Sequence, residues 1–139
     1  MPNPKLDAAY RGTDYMADAP FGPILIRVGE PCRLLDTDSW AYLTACNPRS
    51  QKLEPDDNDR RMHRLEQELT ARCFRYFRGQ ARARDASWPE EPSILVTDIS
   101  EREAVELARK FDQAAIVCGR RGESARLVWI DDCVPPPQS

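Results

Sequence analysis

Short apolar runs alternate along this chain with two stretches of helical period, and their order predicts a sheet with helices packed on it. After a polar lead-in, Ile24-Leu25-Ile26-Arg27-Val28 reads as a strand, ended by Gly29-Glu30-Pro31, because proline lacks the amide that a ladder needs. Residues 40–46 are rich in side chains that suit a pleated, half-buried surface, and they stop at Asn47-Pro48. From Pro55 the period changes: Met62, Leu65 and Leu69 recur at helical spacing, with Arg60, Arg61, Arg64, Glu66 and Glu68 on the other face. Asp56, Asp57 and Asp59 fall in the first turn of this helix, where carboxylates offset the partial positive charge of the N-terminus.

Residues 73–78 read as a further strand, followed by an arginine-rich loop over 79–88 and the proline-bound block Trp88-Pro89-Glu90-Glu91-Pro92. Ser93-Ile94-Leu95-Val96-Thr97 has the continuous apolar character of a strand covered on both faces. Behind it, Ser100-Glu101-Arg102-Glu103 is a capping box that starts the second helix, with Val105, Leu107, Ala108 and Phe111 on its apolar face. The apolar run 114–118 follows so closely that strand, helix and strand suggest a right-handed crossover between parallel strands. Residues 119–123 then turn the chain into the strand 125–130 as a hairpin. The expected fold is α/β of the α+β type: a single mixed sheet of about five to six strands with two main helices, in the order β-β-α-β-β-α-β-β. The expected organisation is one globular domain over 1–130 and a flexible proline-rich tail over 131–139.

Composition narrows the setting. The chain has 139 residues, enough for one substantial core. Its 20 Lys and Arg against 23 Asp and Glu give a net charge of −3, which offers no global attraction to nucleic acid or membrane. Neither a signal-type apolar segment nor a membrane-length apolar run is present in the sequence, so a soluble, cytoplasmic protein is expected. Five cysteines without a C-x-x-C pair fit free thiols better than a disulfide framework or a zinc site.

Several fragments together resemble one bacterial family, catalogued as domain of unknown function 3293. They are Tyr10-x-x-Thr13-x-Tyr15, Leu43-Thr44-Ala45-x-Asn47-Pro48-x-Ser50, Asn58-x-x-Arg61, Trp88-Pro89-Glu90-Glu91-Pro92-Ser93 and Phe111-x-Gln113-x-Ala115-Ile116. Where the family usually has tryptophan between the Ala and the Asn, this chain has Cys46. The family carries no established activity, so the resemblance implies a fold rather than a reaction.

Candidate chemistry gathers at element ends. Asn58 precedes Met62 by four residues and so shares the apolar stripe of the first helix, near its unpaired N–H groups. Asn47 and Ser50, just past a strand, approach the same terminus if the connection is compact. Strand ends facing helix N-termini are where open α/β sheets bind ligands. With Arg61, the Glu90/Glu91 loop and Gln113, they make a candidate small-molecule site, for a nucleotide or a phosphorylated metabolite. The structural alternative is an Asx-turn at Asn47 and loop capping by Asn58. A carboxylate at Glu90 or Glu91 beside Trp88 has the makings of a general acid or base, which keeps a small hydrolase-type enzyme as a third class, although no catalytic residue is identified. His63 is the one histidine; the sequence implies no metal, no cofactor, no P-loop and no membrane partner, and leaves the oligomeric state open. The alternative function is nucleic-acid binding or a nucleoprotein accessory role: eight arginines stand against two glutamates over 60–84. Arg75, Arg78, Arg82 and Arg84 are interleaved there with Tyr76 and two phenylalanines, the residue types of single-strand recognition.

Overall fold

The computed structural model describes residues 4–32, 36–48, 51–86 and 89–130. The chain runs α1 (Pro4–Arg11), β1 (Thr13–Ala19), β2 (Gly22–Ile26), β3 (Ser39–Leu43), α2 (Pro55–Ala71), β4 (Arg75–Ala83), β5 (Glu91–Thr97), α3 (Glu101–Lys110), β6 (Ala115–Arg120) and β7 (Arg126–Trp129). The strands form one seven-stranded sheet in the order β2-β1-β4-β5-β3-β6-β7, curled into a half-barrel. Every neighbouring pair is antiparallel.

This corrects the expected fold in three respects: the sheet has seven strands rather than five to six, it is antiparallel rather than mixed, and a third helix precedes it. What read as a polar lead-in contains α1 and β1. The Asp14, Ala17, Asp18 and Ala19 of β1 are poor strand formers, but pairing with β2 on one side and β4 on the other overrides that local preference. The strand–helix–strand unit β5-α3-β6 does not make a neighbouring parallel pair, because β3 lies between the two strands and is antiparallel to both. The arginine-rich stretch after Arg78 is not a loop but the second half of β4. There Gly79, Ala81 and Ala83 alternate with Gln80 and Arg82.

Both long helices begin and end for local reasons. Pro55 opens α2 at a position where a missing amide does no harm, and the Ser100–Glu103 capping box opens α3 as expected. At its C-terminus α2 closes with Cys73 at φ 62°. There Phe74 N–H donates to Leu69 and Cys73 N–H to Thr70, the double bond pattern of a Schellman motif. The α3 helix repeats it: Asp112 sits at φ 56°, with Gln113 N–H on Ala108 and Asp112 N–H on Arg109. That turn fixes where the Gln113 side chain leaves the backbone.

The sheet buries both faces. On one, Met62, Leu65 and Leu69 of α2 and Leu107 and Ala108 of α3 pack against β3, β5 and β6. On the other, Tyr15, Ile24, Ile26, Trp40, Tyr42 and Leu95 line the concave side of the half-barrel. There α1 lies as a strap: Thr13 Oγ donates to Ala9 at 2.7 Å, Tyr15 Oη to Tyr10 at 2.7 Å and Trp129 Nε1 to Asp7 at 3.3 Å. The rings of Tyr10 and Trp129 meet edge to face, 5.5 Å apart.

Candidate functional site

The exit of β3 is held to the start of α2 by two asparagines. Asn47 adopts φ 48°, a left-handed conformation that asparagine tolerates better than other side chains with a Cβ. Its N–H donates to Asn58 Oδ1 at 2.9 Å and its Oδ1 accepts from Asn58 Nδ2 at 2.8 Å. The same oxygen accepts from Leu53 N–H at 2.9 Å, closing the loop that leads into α2. Asn58 thus finds on Asn47 the partner that its place on the Met62 stripe requires; the amide that an Asx-turn at Asn47 would use belongs to a residue outside the described ones.

One donor of the pair points elsewhere. Asn47 Nδ2 reaches Glu91 Oε2 at 2.7 Å, and Glu91 is the first residue of β5. Strand period two puts Glu91 on the concave face with Ser93, Leu95 and Thr97. Burial pushes its carboxyl up to about 7, against a smaller lowering from the Asn47 bond. Among the described residues nothing donates to Glu91 Oε1.

Glu91 lines a recess on the concave face with Tyr10, Thr13, Tyr15, Tyr42 and Ser93. The cavity is about 30 Å³, room for roughly one or two waters. Tyr15 and Tyr42 stand edge to face at 5.2 Å, and burial holds both phenols well above their ordinary value.

The other expected ligand residues fall around this centre in different states. Gln113 is buried and its Nε2 donates to Cys46 at 3.1 Å and Phe111 at 3.2 Å, which ties α3's end to the β3 exit. Arg61 donates to the carbonyls of Ala45 and Phe111 and so braces the same junction from α2. Glu90 is exposed and pairs with Arg82 at 3.3 Å; its neighbour Glu91 is the carboxylate in the network. The sequence reading offered the two adjacent glutamates together, and counting back by twos from Leu95 along β5 supplies the register that separates them. Ser50 and Trp88 lie outside the described residues. Tyr10 and Tyr15 belong to a fragment of the family resemblance, but their place in the recess was missed because β1 was not recognised as a strand, and Tyr42 was read only as part of a strand.

Along 75–84 the arginines do not form one face. Arg75 lies over the Phe77 ring, 5.1 Å from its centre. Arg78, on the opposite side of the sheet, pairs with Glu66 at 2.7 Å, to which Tyr76 Oη also donates. Arg84 pairs with Asp14 at 2.9 Å. Cys46 is buried with its thiol pushed up to about 11 by burial, a poor nucleophile. His63 is exposed, and no cluster of metal-ligating side chains occurs among the described residues. Among the same residues no helix is long and apolar enough to cross a membrane.

A curled antiparallel sheet with its two long helices on one face and, on the other, a carboxylate-bearing recess under α1 defines a small α+β protein built around a concave pocket. The family model described as a protein of unknown function (DUF3293) matches residues 43–116, more than half of the chain, and the chain belongs to that family. Neither the curated proteins nor the solved structures gave a match. The matched segment carries Asn47, Asn58, Arg61, Glu91 and Gln113, while Tyr10, Thr13 and Tyr15 precede it.

Proposed function

We propose that this protein is a small-molecule-binding domain whose site is the concave recess under α1, with Glu91 as its recognition group. The observation that carries the reading is the half-buried Glu91 carboxylate, aligned through Oε2 by Asn47 while Oε1 has no donor among the described residues. A carboxylate desolvated without a cationic neighbour destabilises a fold, and such groups concentrate where a ligand is to be met. Asn58 and Leu53 fix Asn47, so the carboxylate is held rigidly before any ligand arrives.

A cavity of about 30 Å³ admits a polar tip and not a whole metabolite. The strap α1 buries none of its residues fully, and elements with so few buried contacts open at low cost; its displacement enlarges the mouth. The charge at hand also revises the ligand. A nucleotide or phosphorylated metabolite suits this site poorly: Arg61 is engaged with backbone carbonyls, and Asp56 and Asp57 occupy the first turn of α2. Nucleic-acid binding has less support, since Arg78, Arg82 and Arg84 are already paired with carboxylates. For a hydrolase, no activated nucleophile lies beside Glu91 among the described residues.

A fragment library followed by amide chemical shifts tests the reading. Hits are expected to move the signals of Glu91, Ser93, Ala115 and Val117 together. Asn58→Ala, which releases Asn47 and with it Glu91, should weaken such binding about tenfold, the loss of one charge-assisted hydrogen bond. A library that leaves those signals unmoved would remove the proposal.

A further inference from the structure

Six of the polar side chains that line the recess, among apolar ones such as Leu43, Ile116 and Val117, have a common polarity. Thr13 Oγ donates to Ala9, Tyr15 Oη to Tyr10 and Tyr42 Oη to Met16, each at 2.7 Å. Thr44 Oγ donates to Pro92 at 2.7 Å and Ser93 Oγ to Glu91's own carbonyl at 3.0 Å. Gln113 has both amide hydrogens on the Cys46 and Phe111 carbonyls. Six lining side chains have therefore already given their hydrogens to the backbone. What they keep is lone pairs, because a hydroxyl that has donated still accepts, and so does a glutamine carbonyl. To these Glu91 adds a carboxylate, and among the described residues no lysine, arginine or histidine lines the recess.

We propose that the recess takes a primary ammonium group, the charged head of an alkylamine, which is bound by a wall of acceptors. The inference rests on the recess being a ligand site and goes further by fixing what enters it. A primary ammonium brings three donors and a positive charge, and meets Glu91 Oε1 and the hydroxyl oxygens together. Its head is about the size of a water, and the cavity of about 30 Å³ has room for roughly one or two. A quaternary ammonium is too large and has no N–H. A neutral alcohol supplies one donor and no charge, and an anion is repelled. The edge-to-face tyrosines add ring density that favours a cation.

Titration of the full chain by amide chemical shift at about pH 8, where Glu91 is ionised, separates these classes. Probes are butylammonium, a short lysine-containing peptide with blocked termini, tetramethylammonium, 1-butanol, inorganic phosphate and sodium chloride. Butylammonium should shift Glu91, Ser93 and Ala115, and Glu91→Gln should weaken it about tenfold or more, as for a lost charge-assisted bond. A tighter response to the peptide assigns the ammonium to a lysine side chain, and an equal or weaker one to a free amine; both support the proposal. Butanol, phosphate, tetramethylammonium or sodium acting on the same signals as strongly as butylammonium overturns it, as does binding undiminished in Glu91→Gln. If neutral or anionic fragments fill the recess and amines do not, the ammonium class falls while the ligand site stands. If nothing fills it, both fall.

Discussion

Glu91 is the residue at which stability and use pull apart. Its carboxyl is held at about 7 against an ordinary value of 4.5, with burial as the main cause. The stability that goes with the protonated form is fully present below about pH 4.5 and is lost as pH rises through about 7, since the unfolded chain releases its proton first. The difference corresponds to about 3 kcal/mol, less whatever solvent reaches a half-buried group. Glu91→Gln keeps the acceptor for Asn47 and removes the charge. It should therefore unfold at higher denaturant than the parent at about pH 8, by about 2–3 kcal/mol, and show little gain at about pH 4. Urea unfolding at the two pH values decides it, and a variant less stable than the parent at the higher pH contradicts the assignment. The contact between Asn47 and Asn58 was legible, because an amide on the Met62 stripe demands a partner and Asn47 ends the preceding strand. The choice of Glu91 over Glu90 was not, since it depends on the register of a strand that begins at Glu91, two residues before the run that starts at Ser93.

At the scale of elements, the close approach of β1 to β4 makes the concave side possible. Gly79 faces Ala17 across this pair, and a Cβ on Gly79 would lie 1.8 Å from the Met16 carbonyl oxygen and 2.7 Å from Ala17 Cα. Backbone cannot yield as a flexible side chain does, so Gly79→Ala should destabilise by about 1–3 kcal/mol or more. Hydrogen exchange should accelerate first in β1 and β2, while α2 and α3 keep their protection. Uniform loss across the chain would show that the hairpin and the helices form one cooperative unit. The same pair explains which elements the sequence revealed. Capped, periodic α2 and α3 carry their own signals, as do the apolar runs of β5 and β6. By contrast β1 buries Thr13, Tyr15 and Ala17, of which only Tyr15 is large, with Asp14 and Met16 between them, and on one side its partner is β4, far along the sequence, which no local window contains. The second half of β4 looked like a basic loop because its inward positions are Gly79, Ala81 and Ala83, too small to register as an apolar alternation.

For the whole molecule, topology and charge bear on function together. The sheet order draws Tyr10, Tyr42, Glu91 and Gln113 to one hollow from segments far apart in sequence, so no local motif announces the site. The arginine count over 60–84 is a local motif that the fold disperses. Strand alternation sends Arg75 to one face of the sheet and Arg78 and Arg82 to the other, and Glu66, Glu90 and Asp14, from α2, the β4–β5 connection and β1, stand opposite the cations. A polyanion would have to displace these carboxylates on a chain of net charge −3, and with few phosphates neutralised there is little counterion release to drive association. Fluorescence anisotropy with labelled single-stranded RNA and DNA is expected to show binding no tighter than about 10⁻⁴ M, the weak end of non-specific association, at physiological salt. Lowering the salt should add little, because the slope scales with the number of phosphate contacts. A steep gain at low salt that disappears in the combined Arg75, Arg78, Arg82 and Arg84 alanine variant would restore the basic stretch as the working surface and set the recess aside.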